Sequence, residues 1–227
     1  MKKLVVLTGA GISAESGIKT FRDSNGLWEG HDVMEVASPQ GWFKNPAQVL
    51  EFYNQRRKQA LHAKPNHAHL VLAELQAAYD VQIVTQNVDN LHEKAGSKNV
   101  HHLHGQLFQS RSTVEESIIY EMTDWKLGIG DLCEKGSQLR PNIVWFGESV
   151  PMMDMAIEIT SQADIFLIVG TSLQVYPAAG LIDFAPKQAK KYLIDPKSAI
   201  SSISNEVTFI QKNATAGMQE FKEIIGS

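Results

Sequence analysis

The chain has 227 residues, 43% of them apolar and 20% charged, with 21 Lys and Arg against 25 Asp and Glu for a net charge of −4. This composition excludes disordered and fibrous architectures and suits one large domain or two small ones. A slightly acidic chain argues against non-specific nucleic-acid binding, and no apolar run approaches the roughly 18 residues of a membrane span.

The apolar stretch before Thr8-Gly9 is too short for a signal-peptide core. A single cysteine, Cys133, excludes intrachain disulfides and sites built from several thiolates, so a reducing, cytoplasmic compartment is expected.

Short continuous apolar runs stand at Leu4–Leu7, Val81–Val84, Ile143–Phe146, Ile165–Val169, Tyr192–Ile194 and Val207–Ile210. Continuous rather than alternating runs predict strands of a parallel sheet buried on both faces. Helical patterns fill most gaps: Pro46–Ala63, with Asn45 as a cap, Asn66–Ala78, Met152–Gln162, Pro177–Phe184 and Gly217–Ile225. The alternation predicts an α/β fold with a Rossmann-like doubly wound parallel sheet. Residues 30–79 and 106–140 interrupt it. They are expected to form a smaller lobe from two insertions, beside a large lobe of residues 1–29, 80–105 and 141–227. Segment 106–140 shows no long periodicity and has few large apolar residues, so it is expected to bury little and to be the most mobile part.

The chemistry-bearing segments come next in chain order. Gly9-Ala10-Gly11-Ile12-Ser13-Ala14 fits a glycine-rich turn that lets the backbone approach a pyrophosphate at a helix N-terminus, although an ordinary strand-to-helix turn reads the same way. Arg22 follows closely and could pair with phosphate or be a solvated surface charge. Thr85-Gln86-Asn87-Val88-Asp89-Asn90-Leu91-His92 sits at the carboxyl end of a predicted strand, where ligands of open α/β sheets bind. Its amides and carboxylate suit a ribose or carboxamide, or simply cap a helix. In Val100-His101-His102-Leu103-His104-Gly105 an extended chain puts His102 and His104 on one face. With no obvious carboxylate or thiolate partner, a metal is disfavoured. A general base fits a histidine better, and a buried structural histidine is the alternative.

Taken in order, these segments resemble the sirtuin family of NAD-dependent protein deacylases. The resemblance extends through Leu139-Arg140-Pro141, Val144-Trp145-Phe146-Gly147-Glu148 and Gly170-Thr171-Ser172-Leu173, nearly the whole chain. It implies NAD as a consumed co-substrate bound by Gly9, Ala10, Gly11, Phe21, Arg22, Gln86, Asn87, Asp89, Gly170, Thr171, Ser172, Asp195 and Ala214. His104 would be the catalytic base, with Asn87 as a positioning residue. Val144, Trp145, Phe146 and Gly147 would pair with an acyl-lysine peptide as an added strand. The products would be nicotinamide and 2′-O-acyl-ADP-ribose.

Three departures from the family stand out: Asp195 in place of Asn, Lys19 in place of Pro, and Cys133 where two Cys pairs hold structural zinc. One thiolate cannot build that tetrahedral site, so no zinc is expected. Tyr53 and Arg56 reproduce the Tyr-x-x-Arg arrangement of class III sirtuins. Their spacing puts both on one helix face, where they would bind the carboxylate of succinyl-, malonyl- or glutaryl-lysine. Without the resemblance, a core tyrosine and a surface arginine would be the preferred reading. Acylated lysines on proteins are thus the expected substrates, with no nucleic-acid or membrane partner. NAD hydrolysis, ADP-ribosyl transfer and an idle NAD-sensing module are the competing readings.

Overall fold

The computed structural model describes residues 1–19, 27–197 and 206–226. The strands are β1 (Lys3–Thr8), β2 (Leu27–Trp28), β3 (His31–Asp32), β4 (Asp80–Thr85), β5 (Val100–His102), β6 (Gly105–Ser112), β7 (Ile119–Glu121), β8 (Leu139–Ile143), β9 (Ile165–Val169), β10 (Lys190–Ile194) and β11 (Val207–Ile210). The α-helices are α1 (Val33–Val36), α2 (Pro39–Lys44), α3 (Pro46–His62), α4 (His67–Leu75), α5 (Leu91–Lys94), α6 (Met153–Ser161) and α7 (Ala214–Ile225). A 3₁₀ helix spans Ala178–Phe184.

Six strands form one sheet in the order β11-β10-β9-β1-β4-β5, and every pairing in it is parallel. The continuous apolar runs follow from burial on both faces. Leu4 and Val6 pack with α4 and α7 through Ala68, Val71, Leu72, Met218 and Phe221. Val5 and Leu7 face the opposite way, against Ala156 of α6 and Ala178 and Leu181 of the 3₁₀ helix. Each fully buried side chain of this size contributes about 1.5–3 kcal/mol. The wound topology carries the carboxyl ends of β1, β4 and β9 to one edge of the central sheet.

Local chemistry sets the helix starts. Asn45 Oδ1 accepts the Gln48 amide at 3.2 Å ahead of Pro46, which caps α3 as its sequence predicts. Asn66 caps α4, and His69 completes a reciprocal capping box with it. This helix, placed with the smaller lobe by its sequence position, packs on the parallel sheet.

Two further expectations need correction. The run Ile143–Phe146 is not a strand of the parallel sheet. Its first residue ends β8, which pairs antiparallel with β6. The run is apolar because Ile143 and Trp145 join Val49, Phe52, Tyr53 and Leu107 in a separate core under α3. Segment 106–140 is also better organised than its composition suggests. Its strands form a three-stranded antiparallel sheet in the order β7-β6-β8. Arg57 of α3 is fully buried and donates to Trp125 O (2.7 Å), Leu107 O (3.3 Å) and Asn54 Oδ1 (2.6 Å). Asn54 in turn holds both backbone groups of Leu127. The segment shows no long periodicity, yet its polar Ser110, Arg111 and Ser112 are buried in β6.

Candidate active site

The glycine turn after β1 lies directly against the end of β9. Gly9 N donates to Val169 O (3.0 Å) and Gly11 N to Gly170 O (2.8 Å). A Cβ on Gly170 would sit 2.3 Å from Ile12 N, and its φ of +66° also favours glycine. Only glycine lets these two loops touch. The turn continues as two single 3₁₀ turns, Ala10–Ile12 and Ala14–Ser16, rather than the α-helix N-terminus that its pattern suggested. Phe21 and Arg22 lie outside the described residues.

Across the sheet edge, the segment after β4 reaches into the same place. Asn87 Nδ2 donates to Gly9 O (3.1 Å) and to Ser13 Oγ (3.3 Å). Ser13 Oγ donates to Asp89 Oδ2 (3.0 Å), and Asp89 Oδ1 accepts the Leu91 amide. Gln86 Nε2 donates to Thr171 Oγ1 at 3.2 Å. The structure therefore brings Gly9, Ala10, Gly11, Gln86, Asn87, Asp89, Gly170, Thr171 and Ser172 to one edge of the sheet. Burial raises the Asp89 carboxyl above its ordinary range, against the lowering hydrogen bonds from Leu91 and Ser13. Ser13 was passed over as a site residue, although it belonged to the glycine motif. Its hydroxyl is the link between the amide of Asn87 and the carboxylate of Asp89.

A buried row of side chains supports Asn87 from behind. The Asn87 amide donates to Thr85 Oγ1, which also accepts from Thr8 Oγ1 at 2.8 Å. Thr8 Oγ1 thereby accepts from His92 Nε2 at 3.0 Å. The His92 ring meets His69 at 4.9 Å, edge to face. Burial first of all drives both histidines toward the neutral form, His69 to about 4 and His92 well below its ordinary value.

His104 follows β5. Its Nδ1 lies 3.1 Å from Gln86 O, and a carbonyl only accepts, so Nδ1 carries the proton and Nε2 keeps the lone pair. Burial pulls its pKa below the ordinary 6.5, with the Gln86 carbonyl opposing, so the ring is neutral near pH 7. The sequence shows no obvious carboxylate partner for His102, but the fold supplies one: Glu93 Oε1 is 2.7 Å from His102 Nε2. Asp195, at the end of β10, is buried and accepts the Lys197 amide, while Ala214 opens α7.

The expected substrate segment is mostly committed on its N–H side. Val144 N donates to His104 O, Trp145 N to Glu148 Oε2 and Phe146 N to Ala37 O. Phe146 and Gly147 are exposed. Arg140 ties this stretch to β8, with its guanidinium 3.3 Å above the Trp145 ring and donating to both Glu148 oxygens.

Tyr53 and Arg56 share α3 and both touch Phe52. Tyr53 is fully buried, and its hydroxyl accepts the Trp145 indole N–H at 3.1 Å. Burial raises its pKa and keeps it a phenol, able to donate. Arg56 is half-buried, and its Nε and Nη1 are buried without a hydrogen-bond partner among the described residues.

The zinc site implied by the resemblance does not fit the residues present. Cys133 is one thiol, within hydrogen-bond range of Ser112 (3.4 Å) and Ser137 (3.0 Å). Among the described residues no group of three or more His, Cys, Asp or Glu is placed to hold a metal, and no helix is long and apolar enough to cross a membrane.

Comparison with known proteins bears on the same edge. The Sir2 family profile matches residues 9–177. An NAD-dependent protein deacylase of Helicobacter pylori is 56% identical over 222 residues, covering 97% of this chain and 96% of its own. Another, from Bacteroides thetaiotaomicron, is 50% identical over 230 residues, covering 99% and 98%. A Sir2 homologue solved with ADP-ribose superimposes with a TM-score of 0.89 at 38% identity, over 100% of this chain and 94% of that one. The chain therefore belongs to the Sir2 family of NAD-dependent protein deacylases.

Proposed function

We propose that this deacylase removes succinyl, malonyl and glutaryl groups from lysine side chains, and acetyl groups more weakly. The observation that carries the reading is Arg56, whose buried guanidinium nitrogens Nε and Nη1 have no partner among the described residues. A buried donor without an acceptor costs about 1–3 kcal/mol, more when charged, and a ligand carboxylate would relieve that cost. Burial depresses the Arg56 pKa while the nearby Glu29 charge opposes it, so the guanidinium stays charged at neutral pH. Tyr53, one turn away, retains a hydroxyl proton to donate. An acetyl group has no carboxylate to meet either.

The proposed roles around NAD follow from chemistry and place. Bound NAD supplies an electrophilic ribose carbon with nicotinamide as its leaving group. Gly9, Ala10, Gly11, Gly170, Thr171, Ser172, Asp195 and Ala214 would hold the dinucleotide, with Phe21 and Arg22 added from the resemblance. Gln86, Asn87 and Asp89 would face the nicotinamide end, where an amide network is already fixed through Ser13. His104, neutral with its Nε2 lone pair available, would take the proton of a ribose hydroxyl as general base. The acyl-lysine peptide would lie along the carbonyl side of Val144–Gly147, because the N–H groups of 144–146 are already engaged.

The test compares kcat/KM for succinyl and acetyl peptides in the native enzyme and in Arg56→Met. A charge-assisted hydrogen bond is worth about 1.5–3 kcal/mol, so the variant should lose about ten- to a hundredfold on succinyl-lysine. Acetyl-lysine should be almost unaffected. Equal losses on both would make Arg56 a structural residue and end the acidic-acyl reading.

A further inference from the structure

Segments 85–88 and 102–107 are joined by a run of four contacts. Leu103 N donates to Thr85 O (2.9 Å) and His104 Nδ1 to Gln86 O (3.1 Å). His102 Nδ1 contacts Asn87 O at 2.8 Å, and Leu107 N donates to Val88 O (2.8 Å). Every carbonyl from Thr85 to Val88 is thus held by the stretch from the end of β5 through the turn at His104 into β6. Two of the four donors are backbone amides, and one is His104 itself. The remaining one is His102, a side chain 5% exposed.

His102 differs from His104 in having acceptors at both ends of its ring. The Asn87 carbonyl has no proton to give. Burial would raise the Glu93 carboxyl, but the hydrogen bond and charge of His102, with a backbone hydrogen bond and His69, bring it below its ordinary range and keep it ionised. Two acceptors at 2.8 and 2.7 Å require two N–H donors. We propose that His102 is a positioning residue that works as an imidazolium, clamping the Asn87 carbonyl to Glu93 and so fixing the loop that carries Gln86, Asn87 and Asp89.

The surroundings agree with a cation there. Burial alone would lower the His102 pKa, but the Glu93 hydrogen bond and charge, the Asn87 carbonyl and the Asp89 charge raise it above 6.5. The other titratable groups near it yield to it: His92, on the helix carrying Glu93, and His101, on its own strand, are pushed toward neutral by burial and by the His102 charge. Two histidines two positions apart, one ending β5 and one in the turn after it, therefore divide the work. His104 is neutral and can accept a proton, while His102 is charged and holds the loop. When His102 loses its proton, the lone pair on Nε2 meets the Glu93 carboxylate and the clamp opens. A fall in activity on the alkaline side, above pH 6.5, is therefore expected as His102 loses its proton.

Three measurements test this. Nitrogen NMR of histidine-labelled protein at pH 6 should show both ring nitrogens of His102 protonated; a neutral ring there would overturn the proposal without reference to activity. His102→Phe should lower kcat about ten- to a hundredfold, the scale of a misplaced catalytic group, and should erase the alkaline limb. Wild-type turnover with an unchanged pH profile would overturn it. Should that variant fail to fold, Glu93→Gln decides. Its amide can donate to a neutral His102, so the alkaline limb should vanish, and a limb identical to wild type would refute the assignment.

Discussion

Replacing Arg57 with Met tests what holds the smaller lobe together. The guanidinium bolts α3 to the three-stranded sheet through Trp125 O, Leu107 O and Asn54 Oδ1. Asn54 Oδ1 keeps the Leu127 amide as a donor, so the loss falls on two carbonyls. At about 1–3 kcal/mol for each buried acceptor left unsatisfied, the gross cost is about 2–6 kcal/mol. Against it stands the penalty of burying the charge, which pulls the Arg57 pKa from 12.5 to about 10. That penalty is of the order of 3 kcal/mol, and methionine would not suffer it. Methionine also refills much of the aliphatic volume. The difference runs from about −1 to 3 kcal/mol, so a net loss of about 1 kcal/mol is expected, read by urea unfolding at pH 7. Amide exchange should speed up most at β6 and around Trp125 and Leu127, because those groups lose their anchor. A stability within about 0.5 kcal/mol of wild type, with unchanged exchange in β6, would refute the claim that this side chain organises the segment.

His104→Ala should cost about a hundredfold to ten-thousandfold in deacylation while the protein stays folded by circular dichroism; near-normal turnover would remove His104 as general base. In the wild type, kcat/KM should rise with pH through a titration below 6.5, because burial lowers the His104 pKa. A rising limb centred above 6.5 would contradict that assignment. Stability should also fall in acid. His69 is depressed to about 4 when folded, so the unfolded chain binds its proton first and stability is lost as pH drops from about 6.5 toward 4. For His69 alone this amounts to about 2 kcal/mol by pH 5. Urea midpoints that stay flat between pH 7 and pH 5 would show that His69 is not buried in its neutral form.

The parallel sheet was legible because β1 and β9 bury both faces, and β4 and β10 nearly so, which leaves unbroken apolar runs such as Leu4–Leu7. The glycine turn and the Gln86–Asp89 segment were legible because backbone approach and loop polarity are written in residue type. The smaller sheet was not. Its strand β6 buries Ser110, Arg111 and Ser112, whose partners come from residues 25–37 positions away, such as Ser137 and Glu148. Polar burial of that kind leaves no periodic trace. His102 was visible as one of three histidines, but its partner Glu93 lies nine positions back, across a turn, and only the fold brings the two together. Ser13 was hidden differently: a serine inside a glycine turn reads as turn chemistry, and only the fold brings Asn87 and Asp89 to its hydroxyl.

The central claim is that the NAD site at the ends of β1, β4 and β9 transfers an acidic acyl group from lysine to ADP-ribose. The direct measurement is to incubate the protein with NAD and a succinyl-lysine peptide and to follow all products by mass spectrometry. The account predicts nicotinamide, free-lysine peptide and succinyl-ADP-ribose in equal amounts, with an acetyl peptide giving the same products more slowly. Free or protein-linked ADP-ribose with the acyl peptide left intact would contradict it.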